Sequence, residues 1–449
     1  MIPATVPMPI KTLHFTNCYH ARSGGIRTMY HALLRAAEQR RRPMCLVVPG
    51  EADAVEVWGA FTRIYHVAAP RSPVFDSQYR LLLPHSFLLP YPSAIRRILE
   101  KERPGLVEIC DKYTLMWLAG AIRKQWIPQA GRPLLVGLSC ERMDDNLASY
   151  LGPRWRGAAP PYMQHIYRRM FDRHIAVSPY VAEELRTPVE LAHEPVTVLP
   201  MGVDTRDFGP QHRSAEARRA LLVRAGGDGR TRLLLYAGRL SPEKNIPLLV
   251  DMMRALDAKN PEGLGRDYRL LVAGSGPLEA WLRQQAQRLE GRLVLLGHIA
   301  GRKELAELLA NTDAFVHPNP REPFGIGPLE AMCSGLPVVA PAYGGVMAYC
   351  NAQNAWLAEP SGRAFAAAVR ACFSDHTLRE ARVCAGRHTA LAHDWDRVAG
   401  LFFAAYDSFC SSRQMGELQA ESIGGDSRAR WQAAGRHSSG NATRRGFRT

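Results

Sequence analysis

"AFVHPNPREPFGIGPLEAMCSGLPVVAP", residues 314 to 341, reads as strand, loop, helix and strand. Its two ends, AFVHP and PVVAP, are short apolar runs without polar alternation, the mark of parallel strands buried on both faces. Pro328 suits a first helical turn, which leaves NPREPFGIG as the loop between strand and helix. Amides at a helix start attract phosphate, and Gly325 and Gly327 let a ligand approach bare backbone. Glu322 projects from that loop, and Glu330 lies just inside the helix. Carboxylates accept hydrogen bonds from hydroxyls, so phosphate held between two of them suits a nucleotide sugar. The competing reading makes Glu322 a solvated loop residue and Glu330 a charge that complements the helix dipole.

The same alternation runs through the chain twice. The first half carries apolar runs at 11–15, 44–48, 106–110, 134–139, 174–178 and 196–200, and the second at 233–238, 269–274 and 293–297 ahead of the opening pair. Between them lie amphipathic stretches, one with Leu249, Met252, Met253 and Leu256 on a single face, another with Leu278, Trp281, Leu282 and Leu289. At 449 residues the chain exceeds one hydrophobic core, so the pattern predicts two doubly wound α/β domains with parallel sheets. A Gly-, Pro- and polar-rich break at 201–214 divides them into 1–205 and 206–390. A helix is expected over 391–410, then a basic tail, 411–449, too poor in aliphatics to order.

The apolar fraction of 46% and charged fraction of 22% describe a soluble globular protein, and no run approaches the 18 apolar residues of a membrane span. No secretory leader is read at the N-terminus, so the cytosol is the expected compartment. Nine scattered cysteines without zinc spacing read as reduced thiols, and no metal site is expected. The net charge of +15 favours anionic partners without choosing among phosphorylated substrates, acidic lipid and nucleic acid.

In α/β sheets ligands sit beyond the carboxyl ends of the strands. There YAGRLSPEKN places Arg239 and Lys244, a guanidinium fork and a mobile ammonium suited to a diphosphate, although an exposed basic pair also fits plain surface. VAGSGP places Gly274, Ser275 and Gly276 after the next strand. With EPFGIGPLEAMCSGLPVVA, which has the ExxxxxxxE pattern, and LLGHI, these motifs closely resemble the nucleotide-sugar domain of the retaining glycosyltransferases of family 4, or group 1, which have the GT-B fold of two Rossmann-like domains facing a central cleft. The resemblance is specific over about 230–345 and looser elsewhere, through SGGIRTMYHALL, HIAVSPYVAEEL, GVDTRDF and DWDRVAGLFFAAY.

The resemblance implies that Arg239 and Lys244 bind the donor diphosphate, while Phe324, Gly325 and Ile326 form the loop whose amides face phosphate and sugar. It places Glu330 at the ribose hydroxyls, Glu322 at the donor sugar, Ile299 near the base, and Gly24 and Gly25 in a glycine loop over the phosphates. Glu322, Arg239 and Lys244 are thereby the catalytic candidates and Gly274 a donor-loop residue, with no cofactor beyond the nucleotide-sugar substrate. Two departures stand out. The Asn frequent in "NGVD" is Met201, and 137–151 lacks the histidine that many members carry near the reacting sugar, offering Glu141, Arg142 and Asp144 on the acceptor side instead.

The expected function is retaining, metal-independent transfer from a UDP- or GDP-linked sugar to a hydroxyl of a glycan or glycolipid, in envelope polysaccharide or glycolipid synthesis. Rival readings are a non-hydrolysing sugar-nucleotide epimerase, and a basic nucleic-acid binder for which no recognition motif is found. Basic stretches at 94–103, 117–126 and 162–174 fit either peripheral contact with anionic lipid at the inner face of the cell membrane or ordinary surface helices.

Overall fold

The structure, a computed structural model, describes residues 9–20, 24–72, 79–89, 92–186, 196–257 and 268–413. Two sheets organise them. The first contains β1 (Thr12–Thr16), β2 (Met44–Gly50), β3 (Ala54–Val57), β4 (Thr62–Ala68), β5 (Leu106–Cys110), β6 (Leu134–Ser139), β7 (Arg173–Ala176) and β8 (Thr197–Val198), in the order β3-β4-β2-β1-β5-β6-β7-β8. The second contains β9 (Arg232–Ala237), β10 (Tyr268–Ala273), β11 (Leu293–Gly297), β12 (Ala314–Val316), β13 (Val338–Pro341) and β14 (Trp356–Ala358), in the order β11-β10-β9-β12-β13-β14. All pairings are parallel except that of β3 with β4.

Central strands β1, β5 and β6 are buried along their whole length, as uninterrupted apolar runs require. In the second sheet Leu234, Tyr236, Leu270 and Val272 pack against Leu249, Met252, Met253 and Leu256 of the helix Pro247–Asp257, the face expected from spacing. Three strands escape the sequence reading. β3 is an exposed antiparallel edge, β14 has only three residues, and β4 breaks its apolar run with Arg63 and His66.

Strand order fixes where a ligand can sit. In the first sheet the direction of winding reverses between β1 and β5, and in the second between β9 and β12. The described residues that flank these points are 17–20 and 24 with 111–115, and 238–246 with 317–325. Near the chain end the expected helix begins after a break at 393–394 and runs over 395–413. Its first turn meets the first domain, where Arg40 donates to the carbonyl of Asp396 at 2.6 Å. Most of the expected tail, 414–449, lies outside the described residues.

Candidate active site

The loop after β12 is built around Glu322. Its carboxylate receives Lys244 Nζ at 2.9 Å on Oε1 and 2.8 Å on Oε2, and Asn319 Nδ2 at 2.8 Å on Oε2. Burial alone would raise its pKa, but the Lys244 ammonium, His317 nearby and these hydrogen bonds overcome that and hold it at about 2. A carboxylate offers about four lone-pair positions, so three donors leave about one for a sugar hydroxyl. Glu322 is therefore first a holder of Lys244. His317, whose Nε2 lies 3.8 Å from Glu322, is lowered to about 4 by burial and stays neutral near pH 7.

Arg239 follows β9 and is held from two sides. Glu243 Oε1 accepts from Nη2 at 2.5 Å, and the Tyr79 ring of the first domain lies 5.9 Å from the guanidinium carbon. Glu243 also accepts from Ser241 Oγ at 2.5 Å and from Tyr150 Oη of the first domain at 3.1 Å. The loop after β10 supports this turn from beneath. A Cβ on Gly274 would stand 1.9 Å from the Gly238 oxygen, so only glycine permits the approach.

The remaining candidates divide between backbone and side-chain roles. Gly325, at φ +88°, caps the helix Ile326–Cys333, and its carbonyl accepts from Tyr349 Oη at 2.5 Å. The Phe324 ring is buried against Tyr349, so only the backbone of this residue is left for the loop chemistry the resemblance implies. Ile326 reaches across the cleft, because a Cβ on Gly25 would meet its Cδ1 at 3.1 Å. The Met201 methyl would lie 3.4 Å from the same point, so the residue that departs from the family pattern packs under the Gly24–Gly25 turn rather than serving only as linker. Ile299 lies beyond edge strand β11, half-buried, two strands from the point of reversal.

The Glu330 carboxylate stands apart in having no hydrogen bond or ion pair among the described residues, although the backbone carbonyl accepts from Ser334 Oγ at 2.9 Å. Burial raises its pKa from 4.5 to about 7, with only partial relief from Arg302. An acid whose folded pKa exceeds its unfolded value contributes stability below the unfolded value and loses it as pH rises through the folded one. Glu330→Gln is therefore expected to be about 3 kcal/mol more stable than wild type at pH 8 and no different at pH 4, read as a pH series of denaturant midpoints.

On the acceptor side the structure separates the three candidates. Arg142 and Asp144 form a two-pronged ion pair, at 3.0 and 2.9 Å, and Arg142 also donates to the Tyr180 carbonyl at 2.8 Å. That arrangement closes the segment on itself. Glu141 lies outside that pair, its pKa raised by burial and lowered in part by Lys112 and by Asn146, which donates to Oε2 at 2.9 Å. The buried Lys112 in turn bonds Glu184 at 2.6 Å and the Glu141 carbonyl, and so fixes where Glu141 begins.

The family model described as Glycosyltransferase Family 4 matches residues 23–207, and that described as Glycosyl transferases group 1 matches 222–389. The chain belongs to the family 4, or group 1, glycosyltransferases. This glycosyltransferase is 28% identical over 415 residues, 91% of its own length and 99% of the relative's, to a GDP-mannose-dependent alpha-(1-6)-phosphatidylinositol dimannoside mannosyltransferase of Mycobacterium tuberculosis. Sucrose-phosphate synthase from Thermosynechococcus elongatus superposes with a TM-score of 0.72 at 19% identity, covering 90% of this chain and all of that one (100%). Anabaena HepE in complex with UDP-glucose superposes at 0.62 with 20% identity, covering 89% and 100%. The fold of this glycosyltransferase is GT-B.

Residues beyond the motif roster also shape the site. Glu243 and Asn319 lie inside the quoted motifs and were legible as polar neighbours of Lys244 and Glu322. Tyr79, Tyr150 and Ser178, whose Oγ donates to the Pro323 carbonyl at 2.5 Å, carry no local signal, because each acts across the cleft from a distant part of the chain.

Proposed function

We propose that this glycosyltransferase moves a sugar from a UDP- or GDP-linked donor to a hydroxyl of a glycan, glycolipid or other acceptor with retention at the anomeric carbon and without a metal ion, in the synthesis of envelope polysaccharide or glycolipid. The observation that carries the reading is the shared rim: Arg239, Lys244, Glu322 and the Gly325 turn all lie on the two loops that flank the β9/β12 reversal. A diphosphate leaving group gathers negative charge as the glycosidic bond breaks. A preplaced guanidinium, ammonium and helix-start amides stabilise that charge more than the ground state. Glu330, with no competing donor, suits two ribose hydroxyls, and Glu141 is the group we assign to orient the acceptor hydroxyl.

Similarity over nearly full length to a GDP-mannose-dependent enzyme supports a GDP-linked donor and a lipid-linked acceptor. Thermal shifts with UDP-, GDP- and ADP-sugars test it, since a donor at a hundred times its Kd adds about 2.7 kcal/mol of stability. Stabilisation by none of them, at any concentration to saturation, would remove the donor reading. Undiminished turnover in EDTA is the expected result for metal independence.

Among the described residues no helix is long and apolar enough to cross a membrane. Peripheral contact with anionic lipid is favoured by exposed Trp126 and Trp155, 58% and 45% accessible on the first domain, with Lys124 lying 5.0 Å over the Trp126 ring. Co-sedimentation with acidic vesicles, lost in Trp126→Ala/Trp155→Ala, is the expected outcome.

A further inference from the structure

The second sheet has another edge. Opposite the donor loops, at the amino ends of β9, β12 and β13, lies a cavity of about 750 Å3 bounded by Arg232 at the start of β9, Asp313 before β12 and Pro337 before β13. β9 is six residues long, so at roughly 3.3 Å per residue the cavity lies ~20 Å from Arg239 across the sheet. It shares no lining residue with the site described above.

Its charge is one-sided. Five arginines line it, at 213, 218, 232, 379 and 387, against the two carboxylates of Asp313 and Glu380. Asp313 is already spent, since it accepts from Arg218 at 2.9 Å and from the Leu233 amide at 2.8 Å and lies 3.6 Å from Arg232. Glu380 is solvated and pairs with His376 at 3.4 Å. Neither the Arg379 nor the Arg387 guanidinium makes a hydrogen bond or ion pair among the described residues, and the Arg213 guanidinium makes a single donation, at 3.0 Å, to the Gly335 carbonyl. Arg232 Nε is buried without a hydrogen-bond partner.

These side chains are also held in place. The Phe373 ring has Arg232 at 5.4 Å and Arg379 at 5.7 Å from its centroid, which orients both guanidinium planes. Arg379, Val383 and Arg387 follow one another at helical spacing along His376–Ala392 and present one face to the cavity. A structural role would pair these cations with carboxylates. Instead an excess of three positive charges is concentrated in a concave space, where the field is focused and a guanidinium fork matches phosphate oxygens. The volume falls within the roughly 300–1,000 Å3 of sites for small molecules.

We propose that this cavity is a second anion site, which binds a soluble phosphate ester of sugar-phosphate or nucleotide size independently of the donor cleft. The inference does not rest on the donor assignment. Its test is calorimetry and thermal shift on the full chain at physiological ionic strength with inorganic pyrophosphate and glucose 6-phosphate as probes. The comparison proteins are Lys244→Ala, which disables the donor rim, and Arg379→Gln/Arg387→Gln, two substitutions outside the sheet core.

Saturable binding at one site is expected to survive in Lys244→Ala and to weaken about tenfold or more in the double variant, whose ligand-free melting temperature and donor-dependent turnover stay those of wild type. Binding lost in Lys244→Ala but kept in the double variant would put the anion in the donor cleft and overturn the proposal. So would the absence of saturable binding. Binding to phosphatidic acid vesicles that is weakened in the double variant, with soluble esters ignored by wild type, would make the ligand a lipid headgroup and also overturn it.

Discussion

Lys244→Ala is expected to lower turnover about a hundredfold, the loss of ~3 kcal/mol that follows removal of one donor aimed at developing charge. The substitution has a second consequence, because Lys244 is also the main counter-charge of Glu322, whose side chain is 12% exposed. Breaking one partner of a buried pair leaves the other uncompensated, at a cost of about 3 kcal/mol of folding stability. A lower melting temperature could then pass for a catalytic effect. Lys244→Met/Glu322→Gln separates them: with both charges gone stability returns toward wild type, whereas kcat stays about a hundredfold down. Recovery of activity along with stability would show that Lys244 serves the fold and not the leaving group. Arg239→Ala lacks this complication to the same degree, since Glu243 keeps Ser241 and Tyr150 as donors.

Much of this site could be read before any coordinates because its chemistry is local. Arg239 and Lys244 share one turn, Glu322 and Glu330 one loop and helix, and the strands β5, β6 and β11 have the bounds their apolar runs describe. What the sequence hides is non-local. Glu322 reads as a hydroxyl binder when taken alone, and only its distance to Lys244, 78 positions back in the chain, shows two of its acceptor positions in use beyond the one that Asn319 takes. That Arg142 and Asp144, the acceptor-side candidates, are bonded to each other is likewise not marked in the sequence. β4 is hidden for the same reason, since its Tyr65 donates to Glu102 and Arg63 lies 3.8 Å from it, a partner on another element that makes polar residues acceptable in a buried strand. The arginine cavity has no motif, because its five guanidinium groups come from three segments far apart in the chain, 213–218, the start of β9 and the helix His376–Ala392.

The glycine pair that follows β13 gives the second large effect. Gly345 donates its amide to the Glu322 carbonyl at 2.7 Å, and a Cβ built on it would stand 1.8 Å from the Pro323 oxygen and 2.2 Å from the Pro323 carbonyl carbon. Both obstacles are backbone, so no rotamer change relieves them. Gly345→Ala must push the 322–323 backbone away, and that segment carries both the Lys244 contact and the Pro323 carbonyl that Ser178 binds from the first domain. The expected result is a loss of about 3 kcal/mol of stability, the upper range for overpacking, together with a fall in kcat/KM at least as large as that of Lys244→Ala. Gly229→Ala, where a Cβ meets nothing within 4 Å, is the matched control and should change neither. If Gly345→Ala keeps wild-type stability while Gly229→Ala does too, the close approach of the two loops is not a constraint on the folded chain, and the rigidity assigned to the Lys244–Glu322 pair has no support from below.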